Sequence, residues 1–306
     1  MAAMLRWHFV LTCWAVLGSG LASAQENTAP NVVVSAEGEE AEHDQFTEPG
    51  EYAQPAWAER SRFSSTTSVY VLSPYEMFAG NIWEADFRRH GKSTHDLTQE
   101  IDFGLPHRFE IGFENELGLI GSDAHETSGT IEARYAFANW NAVPLNPAIS
   151  VEYIFGFGKS VKFEAGDSRR QNLHRQPDAV AVRLSFGQDF AGHFGYGLNL
   201  AIEQDVSRDR GRQFELAQAV TYGAMKGKLE FGAEMRYTHN TQQTKVDDQN
   251  ELVIGPTIGW KPTRQIRVGF APLFGCTHES PHVASFLLVS YEFGGAESIV
   301  PPISEH

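Results

Sequence analysis

Cysteine is nearly absent: Cys13 and Cys276 are the only two in 306 residues. The first lies in a stretch that reads as a cleaved leader, so no intrachain disulfide can staple the mature chain, and stability must come from packing or from a membrane. Basic residues are scarce too, with 24 Lys and Arg against 39 Asp and Glu. That balance excludes nucleic acid, whose phosphates need a basic face, and leaves cations and neutral solutes as the easier partners. No run after residue 24 approaches the roughly 18 apolar residues of a spanning helix, and 3.6-residue periodicity is hard to find. The chain crosses no membrane as a helix.

What is present begins with MAAMLRWHFVLTCWAVLGSGLASA, residues 1 to 24. One early cation (Arg6), an apolar stretch and the ending Ala22-Ser23-Ala24 predict a secretory signal cleaved before Gln25. Cys13 sits inside the apolar stretch, not at its end, which argues against a lipoprotein. Losing Arg6 leaves 23 cations against 39 acids, a formal charge of −16. Between residues 25 and 66 there are nine acids and only Arg60 and Arg62 as cations. Residues 25–78 are therefore expected to form an acidic, flexible periplasmic tail. A docked plug is the alternative, because NVVV and PAWAERSRF offer apolar grip.

From about residue 79 to 293 the texture changes to twelve segments of about ten residues in period-two alternation, ended by Gly, Pro, Asn, Asp or charged residues. In GNIWEADFRR, Trp83, Ala85 and Phe87 oppose Glu84, Asp86 and Arg88; in FEIGFENELGLI, Phe109, Ile111 and Phe113 oppose Glu110 and Glu114. Alternate connections are tight, as at Pro106-His107 and residues 226–228, whereas most of the others are longer and polar, as at residues 158–178 and 240–250. Short turns at one end and long loops at the other predict an all-β, antiparallel transmembrane barrel of about twelve strands, with both chain ends on the periplasmic side and residues 294–306 as a C-terminal tail. A soluble exported β-sandwich also alternates, but its strands average five or six residues against the 9 to 11 or so of a tilted spanning strand.

A barrel in lipid must turn its charges inward. The expected lumen-lining residues are Glu84, Asp86, Glu100, Asp102, Glu110, Glu114, Glu116, Glu132, Arg134, Glu152, Arg183, Glu230, Glu234 and Arg236. Aromatics gather near the short-turn ends, at Phe103, Phe137, Trp140, Phe186, Phe190, Tyr222, Trp260 and Phe293, as an interfacial girdle would. The segments WEADF, EIDFGLPHRFEIGFENELG (residues 100–118) and VSYEF (residues 289–293) resemble those of Gram-negative outer-membrane β-barrels, including the group related to the MetA pathway of phenol degradation. That resemblance implies an outer-membrane location, lipid and lipopolysaccharide as surroundings, and the outer-membrane assembly machinery as a partner reading a terminal strand that closes in Phe. Thirteen residues follow Phe293, a departure from that ending.

Few motifs carry chemistry. HESPH, residues 278–282, has the letters of a zinc-binding H-E-x-x-H, but Pro281 would break the required helix, so His278 and His282 are expected in an exposed loop. Histidines at 90, 95, 125, 174, 239, 278 and 282 fall in or near the long loops, where weak metal capture competes with plain loop polarity. FGFGKS echoes a phosphate-binding loop, but Tyr153 stands where its first glycine belongs. No H-x-x-N with a nearby nucleophilic serine supports a barrel-borne hydrolase. No enzyme activity and no cofactor are expected. Two readings of the acid-rich wall stay open: a channel for small neutral or cationic solutes, or a closed barrel braced by Glu–Arg pairs that presents the 158–178 loop.

Overall fold

The computed structural model describes residues 49–55, 63–65, 68–88, 93–120, 123–164, 167–190, 193–207, 211–225, 227–241, 249–263 and 265–294. The leader, residues 25–48 and the tail from 295 lie outside the described residues, as does His90. The strands are β1 (Met77–Phe87), β2 (Thr94–Leu105), β3 (Phe109–Ile120), β4 (Asp123–Ala136), β5 (Ala148–Phe155), β6 (Lys159–Glu164), β7 (Asp167–Arg175), β8 (Ala179–Phe190), β9 (Phe194–Asp205), β10 (Arg212–Ala224), β11 (Leu229–Thr241), β12 (Gln249–Trp260), β13 (Ile266–Gly275) and β14 (Val283–Phe293). Twelve of them close an antiparallel barrel, neighbour to neighbour, with β1 pairing β14 at the seam. The other two, β6 and β7, pair as a hairpin inside the long 158–178 connection, where the sequence pattern signals only a loop.

Period-two alternation sets the two faces of the wall. Phe113 is 46% exposed and Phe109 47%, whereas Glu110 between them is 1% exposed. The apolar side chains thus stand outside, and the charges inside are covered. Two irregularities modify the pattern. A bulge between Glu116 and Leu117 leaves Thr127 without a partner on β3, so the facing of β4 changes beyond Ser128. Between β12 and β13, register pairs run at Val253–Ile254 and again at Ile258–Trp260; Pro256 and Pro272, which have no N–H to donate, lie in the intervening stretch.

Polarity inside is also not uniform. Val253, Ala271, Leu273, Ala284 and Phe286 form a buried apolar cluster on β12–β14, and the Arg236 guanidinium lies 4.7 Å above the Phe286 ring.

Candidate functional site in the barrel lumen

The main departure from expectation lies just before β1. The described part of the expected tail does not trail free: Phe63, Ser64, Ser65, Ser68, Val69, Tyr70, Val71, Leu72 and Ser73 are all buried. Of the two stretches expected to offer apolar grip, PAWAERSRF ends at Phe63, which is 1% exposed, and NVVV lies outside the described residues.

Wall side chains hold this segment. The Glu234 carboxylate accepts the Ser64 N–H at 2.9 Å, the Ser65 N–H at 2.7 Å and the Ser65 hydroxyl. Glu110 accepts the Leu72 N–H at 2.7 Å, and Arg134 donates to the Tyr70 carbonyl and to the Ser68 hydroxyl. Small residues in the wall leave room: a Cβ on Gly197 would meet the Phe63 ring at 2.2 Å, and one on Gly104 would lie 1.9 Å from the Ser73 carbonyl oxygen. Leu72 also packs with Phe78, Leu288 and Ile82.

The segment occupies the short-turn half of the barrel, because Glu110, Arg134 and Glu234 all lie toward the short-turn ends of their strands. Its two feet stand at that rim. On one side, Trp140 N–H donates to the Tyr52 carbonyl, and the Tyr52 hydroxyl bridges Leu105 O and Arg108 N–H. On the other, Tyr75 and Glu76 exchange backbone bonds with Gly104. Burial raises the Tyr52 hydroxyl pKa, and it pushes that of Tyr70 up to about 12, where the neutral hydroxyl donates to Ala138 O. Trp140, expected in the lipid-facing girdle, instead turns inward. Its ring meets Tyr70 edge-on at 5.2 Å and its Nε1–H donates to Asp189 at 3.1 Å. Phe103, Phe137, Phe190 and Trp260 do stand on the exposed surface.

Of the fourteen residues expected in the lumen, the structure brings all three arginines onto acids. Arg134 bonds Glu110 and Glu132, each at 2.9 Å; Arg183 reaches Glu152 at 3.4 Å and Glu215 at 3.0 Å. Arg236 pairs with Glu84, and Glu230 lies 3.5 Å from Arg267. Arg88 bonds Asp86 at 3.3 Å and Glu251 at 3.2 Å, and Ser128 donates to Glu116. Asp102 is 2% exposed beside Gly112. Glu100, Glu114 and Glu132 converge, with one carboxylate oxygen from each within 4.8 Å of the others, a spacing able to share a cation. Among the described residues the expected histidines join no such group: His95 stacks on Trp83, His239 bonds Asn250, and neither His278 nor His282 belongs to the acidic group.

Above the plugged half is a cavity of about 340 Å³. Six acids line it (Asp86, Asp96, Glu116, Glu203, Asp205 and Glu251), against Arg88, Arg212 and the imidazole of His125. Asp96, Glu203, Asp205 and Glu251 were not on the expected list. Their strands run further toward the long loops than the alternating core of each segment suggests, and continuing the parity of Glu100 back to Asp96 would have found the first of them.

A closed twelve-strand wall, apolar outside and charged inside, defines a β-barrel of the Gram-negative outer-membrane type. No protein-family model and no curated protein sequence matches the chain. Among solved structures, the chain is similar to the COG4313 outer membrane channel from Pseudomonas putida F1, with a TM-score of 0.52 at 10% identity over 73% of this chain and 97% of that one. Two more distant likenesses are a KdgM porin (TM-score 0.44, 12% identity, 70% and 99% covered) and the beta domain of the Bordetella autotransporter BrkA (0.45, 9%, 72% and 98%). At 10% identity the likeness to the Pseudomonas putida channel establishes the fold alone.

Proposed function

We propose that the protein is an exported outer-membrane channel, not an enzyme, for passive or facilitated diffusion of small neutral or cationic solutes. The observation that carries this reading is the cavity of about 340 Å³ facing the long loops, where six carboxylates meet two arginines. One of those arginines, Arg88, is already bonded to two of the acids. Such a mouth concentrates cations and repels anions. The likeness of its fold to that of an outer-membrane channel supports the same reading, as does the resemblance of residues 100–118 to the MetA-pathway-related barrels. The surroundings that follow are lipid and lipopolysaccharide outside the wall, with the assembly machinery reading β14.

A second reading has its own observation. Residues 63–65 and 68–73 are buried against the short-turn half of the wall, and a barrel permanently filled there would be a structural protein presenting the β6–β7 hairpin. Planar-bilayer conductance under a KCl gradient separates the two. The channel reading expects a reversal potential on the cation side; absence of current, or an anion-selective current, rejects it.

A further inference from the structure

We infer that the described residues 63–65 and 68–73 form a displaceable gate, a strap seated in the short-turn half of the lumen that withdraws toward the short-turn rim to open the bore. The inference rests on the channel reading above and adds its means of control.

The strap is no part of the wall. The twelve strands close without it, β1 against β14, and the ties at Ser64, Ser65, Tyr70 and Leu72 run from its backbone to side chains of Glu234, Arg134 and Glu110. Water can replace a side-chain partner when the strap leaves, whereas a broken strand ladder would leave the sheet itself unpaired. The energetics oppose one another in the same way. Seating the strap covers Phe63, Val69, Val71 and Leu72, which favours the closed state. It also strips water from Glu110 and Glu234, each 1% exposed, which favours release. Both feet stand at one rim, at Tyr52 and at Tyr75, so withdrawal needs no chain end to pass through the barrel.

A covalent lock tests this. An ideal Cβ on Gly269 lies 2.8 Å from the Ser64 Oγ, close to the roughly 3.0 Å that separates a cysteine Cβ from its partner's sulfur in a disulfide. Ser64→Cys with Gly269→Cys is made in a Cys276→Ser background, which leaves no other cysteine after residue 24. In planar bilayers the oxidised protein should show only residual conductance, and dithiothreitol should raise it several-fold. Equal conductance before and after reduction overturns the gate. Ser65→Cys in the same background gives a second readout that does not depend on current. A membrane-impermeant maleimide should label it in the folded barrel, far more slowly than an exposed thiol but to completion. Absence of labelling also overturns the gate. Labelling without current means that the strap moves and the channel reading fails; current without labelling means that the channel reading survives and the gate fails.

Discussion

Replacing Glu234 by glutamine weakens the seat at one atom. The carboxylate offers Oε1 to the Ser64 N–H at 2.9 Å and Oε2 to both the N–H of Ser65, at 2.7 Å, and its hydroxyl. An amide keeps one oxygen and turns the other into an NH₂ that faces a donor. At best it retains the pair at Ser65 and abandons Ser64, and every surviving bond loses its charge assistance. Hydrogen bonds to charged groups contribute about 1.5–3 kcal/mol net, against about 1 for neutral ones, so the total loss is about 2–4 kcal/mol. The neutral side chain is cheaper to bury, which works the other way, but an unsatisfied buried N–H costs a further ~1–3 kcal/mol. At 1.4 kcal/mol per factor of ten, a loss of 2–4 kcal/mol shifts the balance between seated and withdrawn strap about 30- to 700-fold. Amide hydrogen exchange reads that balance locally. The amides of Val71 and Leu72 should exchange faster by that factor in Glu234→Gln, while those of the wall strands stay protected. Unchanged exchange at Val71 and Leu72 would refute the latch, and equal acceleration throughout β11 and its neighbours would show that the substitution had loosened the barrel instead.

Other perturbations separate the two faces of the wall. Phe113→Lys places a cation on the exposed apolar surface at a cost of about 2–4 kcal/mol in lipid, and should reduce folding into bilayers, whereas Glu114→Lys with Glu116→Lys should assemble normally and move the reversal potential toward anions. Equal assembly of both variants would mean that the facing is wrong. Gly197→Leu fills the recess that takes the Phe63 ring and should raise conductance by unseating the strap; conductance at or below wild type would count against it. The Tyr70 hydroxyl, pushed up to about 12 by burial, stabilises the seated strap fully below pH 10, and that contribution is lost as pH rises from 10 to 12. Trp140 fluorescence, reporting from 5.2 Å away, should step over that range and lack the step in Tyr70→Phe.

Much of the wall was legible because a membrane-facing sheet obeys a strict rule. Phe109, Ile111 and Phe113 alternate with Glu110 and Glu114 since one face meets lipid and the other does not, and no tertiary detail is needed to see it. The rule failed where other contacts override it. Val253, Leu273 and Phe286 are apolar yet inward, because they pack on one another and not on water. Trp140 left the girdle for the same reason, having Tyr70 and Asp189 to satisfy it. The strap was the least visible part. Its ties are long-range, Ser65 to Glu234 across 169 residues, and nothing local in SSTTSVYVLS distinguishes a seated strap from an acidic chain's polar linker. The glycines at 104, 187, 197 and 269 were the available signal: on a face built largely from polar and charged side chains, residues without a side chain mark where another chain comes close.

That both feet of the strap stand at the same rim also bears on how the protein is made. A strap entering by one mouth and leaving by the other would have to be in place before the β1–β14 seam shut, so that barrel closure and filling would be a single event. Here the strap is a loop tucked into an open end. The barrel can close first and be filled afterwards.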